Sequence, residues 1–160
     1  LFYFSARDSG DSRLPTEIVA EFVNKNVARD HYKAEKTHFQ YSLKGEVPPL
    51  GEFIKGADCR EQNLITHLSL AQLGYPSECV TGGVRTSKGS NIHAWAEVPI
   101  TDEVVDAFIG KAMPKNQYYD KFHVDLDILG IKPPTVYARP HHEMWGWAIF
   151  GSNFEFRESK

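Results

Sequence analysis

Cys59, His93 and Asp106 are the side chains of this 160-residue chain whose types and order suit covalent chemistry. A thiolate attacks carbonyl carbon, an imidazole pairs with it and later carries the proton, and a carboxylate orients the imidazole. Cys59 stands in Gly56-Ala57-Asp58-Cys59-Arg60-Glu61, at the mouth of an apolar-periodic segment. His93 stands in the strand-like Asn91-Ile92-His93-Ala94-Trp95-Ala96-Glu97-Val98, and Asp106 in Val104-Val105-Asp106-Ala107-Phe108. Taken singly, each has a bland reading: an inert helix-start thiol, a surface histidine, an edge charge. Their joint order and the elements that carry them favour a triad.

The element behind Cys59 is a helix. Asp58 followed three residues later by Glu61 is an acidic capping box, and Leu64, Ile65, Leu68, Leu70, Ala71 and Leu73 follow before Gly74 stops the run. Cys59 then takes the first helical position, facing unpaired N–H groups and the positive end of the helix dipole, both of which favour thiolate. Its own backbone N–H is placed to serve as one oxyanion donor. In the strand from Ile92, residues His93, Trp95 and Glu97 share one face. If Val98 pairs with Glu103 across a four-residue loop, Asp106 falls opposite Trp95, diagonal to His93 and on the same face. A one-residue slip would put it on the other side of the sheet.

Around this core the pattern predicts one amphipathic helix over residues 15–36, built on Ile18, Val19, Phe22, Val23 and Val27. Residues 5–13 read as a loop, and 37–57 as a connecting segment with a short strand or helical turn. Strands are expected over 78–84, 91–98 and 104–109, the first two joined by a hairpin tip at 86–90. After Lys111 come a mixed polar–aromatic stretch, the Pro133-Pro134 break and an apolar alternation through Trp145, Trp147 and Ile149. The order is α+β in a single domain of residues 1–160, with the triad core at about 55–110. Gln40 or Tyr41, in the connecting segment, is the candidate second oxyanion donor, against a solvated-loop reading. Trp95 either walls the acyl site or, as favoured, packs with partial exposure.

Composition narrows the rest. With 41% apolar and 24% charged residues and a net charge of −3, the chain shows no footprint for nucleic acid or an anionic membrane. No apolar run approaches the roughly 18–20 residues of a membrane span. The chain starts at Leu1, which fits a processed protein or an excised domain, and its compartment stays open: soluble, cytoplasmic or secreted. Two cysteines, Cys59 and Cys79, are too few for a disulfide scaffold or a four-thiolate zinc site, though a single bridge between them would silence the thiol. His141-His142-Glu143 lacks the spacing that presents two imidazoles from one helix face, and reads as a loop rather than a metal site. Tyr137, Trp145, Trp147 and Phe150 read as core rather than groove. Gly82-Gly83 and Gly89 form no phosphate loop.

The same residues resemble the transglutaminase-like superfamily. The matching pieces are Gly56-Ala57-Asp58-Cys59, Leu73-Gly74-Tyr75-Pro76, Val80-Thr81-Gly82-Gly83-Val84, His93-Ala94-Trp95-Ala96-Glu97-Val98 and Val105-Asp106. They span about a third of the chain, and His-Ala-Trp-x-Glu-Val is the most specific. The resemblance implies a papain-like α+β fold, with the nucleophile helix packed on an antiparallel sheet. It implies Cys59 as nucleophile, His93 as base and then acid, and Asp106 as orienter. The implied substrate is a protein or peptide amide, with transfer to water or to an amine, and no cofactor or metal is required, though calcium could regulate it. Hydrolysis or deamidation is slightly favoured for a small domain, and a secreted effector or toxin domain is one context. Ala107-Phe108 departs from the family's usual Trp or Pro after the aspartate. Cys59-Arg60-Glu61-Gln62-Asn63 also echoes the Cys-x-Glu-x-Asn of arylamine N-acetyltransferases, a second reading. A third is an inactive peptide-binding module on the same fold.

Overall fold

The computed structural model describes residues 12–126, an α+β arrangement of four helices and one four-stranded antiparallel sheet. The expectations for Leu1 to Phe4, Pro133-Pro134, Tyr137, His141-His142-Glu143, Trp145, Trp147, Ile149 and Phe150 lie outside the described residues.

Pro15, at the first helical position where its missing N–H costs nothing, begins α1 (Pro15–Asn26), and the backbone N–H of Leu14 donates to the Glu17 carboxylate at 3.0 Å. The single helix expected over 15–36 is instead two. The chain leaves helical geometry at Val27, and α2 (His31–Ser42) begins after Asp30, whose side chain accepts from the N–H of Lys33 at 2.9 Å. The break is tertiary in origin. Ala28 and Asp30 donate to the carbonyls of Ile54 and Ala57, and Ala57 donates back to Ala28. The buried Gln62 amide caps the carbonyl of Val27 at 3.0 Å. These extended-chain bonds satisfy the backbone groups that a continuous helix would have used internally. The connecting segment is correspondingly shorter, since α2 runs to Ser42 and a single 3-10 turn, Leu50–Phe53, follows.

The helix α3 (Cys59–Gln72) starts and stops as the capping box and Gly74 predict, with both arms of the Asp58–Glu61 box formed. Then come β1 (Glu78–Thr86) and β2 (Gly89–Val98), joined by a two-residue turn at Ser87-Lys88, so the hairpin is tighter than expected. The next strand, β3 (Glu103–Asp106), pairs with β2 in the register Val98–Glu103, Glu97–Val104 and Ala96–Val105. The stretch beyond Gly110 is ordered secondary structure that the pattern did not reveal: β4 (Lys111–Pro114) at the sheet edge and α4 (Lys115–Phe122). Strand order is sequential, β1-β2-β3-β4.

The sheet separates two apolar clusters. On one face Ala96, Val98, Val105 and Ala107 meet Val19, Ala20 and Val23 of α1 and Leu64 and Leu70 of α3. On the other, Val80, Val84, Trp95 and Val104 are covered by Tyr118 of α4. The period-2 alternation of β2 feeds both faces at once, which makes β2 the center of the molecule. Among the described residues no helix is long and apolar enough to cross a membrane.

Candidate active site

The capping box aims Cys59. The N–H of Asp58 donates to Glu61 at 2.7 Å, which locks the first turn of α3 and leaves the half-buried thiol at a cleft of about 460 Å³. His93 and Asp106 line the same cleft, with Asp58, Phe108 and Tyr118. The register of β2 with β3, continued by one pair, sets Asp106 opposite Trp95 and diagonal to His93. Nε2 of His93 lies 2.9 Å from Oδ2 of Asp106, both residues are buried, and the same imidazole hydrogen-bonds the Cys59 thiol. The three side chains singled out by type and order therefore meet at one cleft.

Electrostatics follow from that arrangement. Burial alone pushes the His93 imidazole down. The hydrogen bonds to Asp106 and then to Cys59, with the charges of both partners, outweigh burial and raise it to about 9. His93 is thus held as imidazolium at neutral pH. Asp106 is held in turn by three donors: His93, the phenol of Tyr118 at 2.7 Å on the same Oδ2, and the N–H of Phe108 at 2.9 Å on Oδ1. Burial, with the charge and hydrogen bond of Asp106, pushes the Tyr118 phenol far above its ordinary value, so it stays protonated and donating.

Two residues at the site were not singled out by sequence reasoning. Tyr118 comes from α4, whose only local signals were Pro114 ahead of it and the Tyr118–Phe122 spacing. Phe108 follows Asp106 by two residues. Its ring meets His93 edge-on at 5.1 Å, and the Arg29 guanidinium lies 3.8 Å over it. The turn that presents Phe108 is tied to α1, since the Asn24 amide donates to the carbonyls of Ala107 and Phe108 at 2.8 and 3.2 Å. Gly110 closes that turn at a φ of +67°, with Asn24 only 3.0 Å from where a Cβ would sit, so glycine is required twice over.

Other sequence expectations resolve differently. Trp95 neither walls the cleft nor keeps partial exposure. It is fully buried, its ring tilted against Tyr118 at 5.5 Å and edge-on to Tyr119 at 6.3 Å, and its indole donates to Glu97 at 3.0 Å. The reason is α4, which covers this face of the sheet. Burying an indole contributes about 5 kcal/mol at ~25 cal/mol per Å², which makes Trp95 a core residue. Glu97, two residues on, anchors the same helix through Tyr119 and Lys115, each at 2.5 Å. Gln40 and Tyr41 lie on the last turn of α2, Gln40 exposed and Tyr41 half-buried beneath Lys44, and neither is among the residues that line the cleft. The two cysteines are free thiols; burial pushes Cys79 up to about 12, which makes it inert.

The Cys59 amide, expected as an oxyanion donor, is engaged. It donates to Oδ1 of Asp58 at 2.8 Å, and Oδ2 of Asp58 lies 2.6 Å from Nδ1 of His31. Burial raises the Asp58 carboxyl, but the hydrogen bonds from His31 and Cys59 prevail and hold it below the usual carboxylate range. Among the described residues, His31, Glu35 and Asp58 are the one group of three with atoms placed to share a metal ion.

No family model, no curated protein and no solved structure matches this chain.

Proposed function

We propose that this chain is a transglutaminase-like thiol enzyme with a papain-like core, acting on protein or peptide amides through a Cys59 thioester. The observation that carries the reading is the convergence of Cys59, His93 and Asp106 on one cleft, with His93 bonded to Asp106 and its imidazole raised by both partners. A thiol at a helix N-terminus hydrogen-bonded to an imidazole raised to about 9 is the arrangement of a thiolate–imidazolium pair.

In the reaction, the Cys59 sulfur attacks the amide carbonyl carbon and the carbonyl electrons move to oxygen. His93 gives its proton to the departing nitrogen, the C–N bond breaks, and ammonia or an amine leaves. Water or a primary amine then attacks the thioester, His93 takes the incoming proton, and the thiolate departs. Asp106, fixed by Tyr118 and Phe108, keeps the imidazole aligned through both halves. Stabilisation of the oxyanion by the Cys59 amide requires Asp58 to give up that N–H.

That last feature also favors a second reading, a binding module in which the amide stays capped and the cleft only holds a peptide. The test is iodoacetamide labelling of Cys59 on a Cys79→Ser background, followed by ammonia release from glutamine peptides. The enzyme reading expects rapid labelling at pH 6.5 that slows at least about tenfold in His93→Ala, with ammonia release abolished in Cys59→Ala. Labelling that is slow and indifferent to His93 would leave only the binding module.

A further inference from the structure

His31, Glu35 and Asp58 bring one imidazole nitrogen and two carboxylate oxygens within 4.8 Å of one another. His31 is the first residue of α2 and Glu35 lies four residues on, so both leave the same helix face. Asp58 comes from the cap of α3, with its backbone fixed to Glu61 at 2.7 Å. The two helix starts are tied together beneath the side chains, where Arg29 pairs with Ala57 and the N–H of Asp30 donates to the Ala57 carbonyl at 3.0 Å. The three donors are thus presented by a joined backbone rather than by separate loops.

The surrounding charges leave room for a cation. Arg60 hydrogen-bonds one oxygen of Glu35 and lies 3.7 Å from Glu61, so one guanidinium faces the three carboxylates of Glu35, Asp58 and Glu61. Three carboxylates against one guanidinium leave the cluster rich in acidic groups. Glu35 gives Arg60 only its Oε1, leaving its other oxygen to turn toward an ion.

We propose that His31, Glu35 and Asp58 form a binding site for a divalent metal ion of the zinc class, adjoining the thiol but independent of it. The imidazole selects against magnesium and calcium, which take oxygen ligands, and for first-row transition ions. Tetrahedral zinc sets its ligand atoms about 3.3 Å apart. The 2.6 Å approach of His31 to Asp58 therefore opens slightly and Glu35 closes in, both by rotation of side chains at the surface. A water completes the fourth position. The ion holds Asp58 through Oδ2, while Oδ1 continues to face the Cys59 amide.

The test is titration of the full chain with cobalt(II) alone, then zinc(II) alone, at neutral pH, followed by visible absorption and calorimetry. The expected result is one equivalent bound, with the absorption of tetrahedral cobalt and no thiolate-to-cobalt band. His31→Ala and Glu35→Gln, both at exposed positions of α2, each weaken binding by more than about tenfold. Cys59→Ser leaves binding unchanged, which separates this site from the proposed thiol chemistry. No binding up to about 1 mM free metal overturns the proposal. So does binding that survives His31→Ala or that disappears with Cys59→Ser.

Discussion

Asp106 carries a heavier load of hydrogen bonds than a simple orienting carboxylate needs. Oδ2 serves His93 and Tyr118 together, and Oδ1 holds the N–H of Phe108. Tyr118 therefore shares the charge that would otherwise go to the imidazole. In Tyr118→Phe, Oδ2 concentrates on His93, whose pKa should climb further above its present value of about 9, as read by histidine resonances across a pH series. The same variant should lose about 1.5–3 kcal/mol of stability, since a buried charged acceptor loses one donor. The types, order and strand parity of Cys59, His93 and Asp106 were all legible in the sequence, because a strand's period of two lets only registers of one parity put histidine and aspartate on one face. Tyr118 was not, because its role depends on where α4 lands, and nothing local to Lys115–Phe122 states that.

At the scale of elements, what was readable was what is local. The Asp58–Glu61 box and Gly74 mark the ends of α3, and the strand alternation marks β2. The split between α1 and α2 escaped the periodicity because carbonyls and amides of residues 54–57, distant in sequence, replace the helical hydrogen bonds there. Asp30 as a cap was its one local sign. β4 has four residues and exists through pairing with β3 at the sheet edge. Gly82 shows how tightly the second face is packed. A Cβ there would stand 2.9 Å from the Trp95 ring and 3.1 Å from the Asp125 carbonyl, beside the backbone bridge between Gly83 and Asp125. Gly82→Ala should therefore cost about 1–3 kcal/mol in urea unfolding, by forcing Trp95 and the strand apart. An unchanged midpoint would mean that the chain after α4 yields freely.

For the molecule as a whole, the buried ionised groups set a pH window of stability. His93 is raised from 6.5 to about 9, so its contribution is full below about 6.5 and fades as pH rises through 9. That contribution is about 3 kcal/mol. Glu61 runs the other way. Burial raises its carboxyl, but His38, Arg60 and the N–H of Asp58 together hold it below its ordinary 4.5. Its contribution is present above about 4.5 and is lost as pH falls through its depressed value. Urea midpoints from pH 3 to 10 should fall at both ends, with Glu61→Gln flattening the acid limb and His93→Gln the alkaline one. Limbs that survive these substitutions would place the titrating groups elsewhere.

In the proposed thiol chemistry, the Asp58 contact governs how a substrate would reach the Cys59 amide. The start of α3 is an anion seat, and the resting protein fills that seat with its own carboxylate. In the proposed reaction the oxyanion formed after attack would take the place of that carboxylate, and the reacting oxygen would gain only the difference between them. Fold and the proposed chemistry draw on the same N–H group, so a substitution that empties the seat would loosen the helix and open the site in a single stroke.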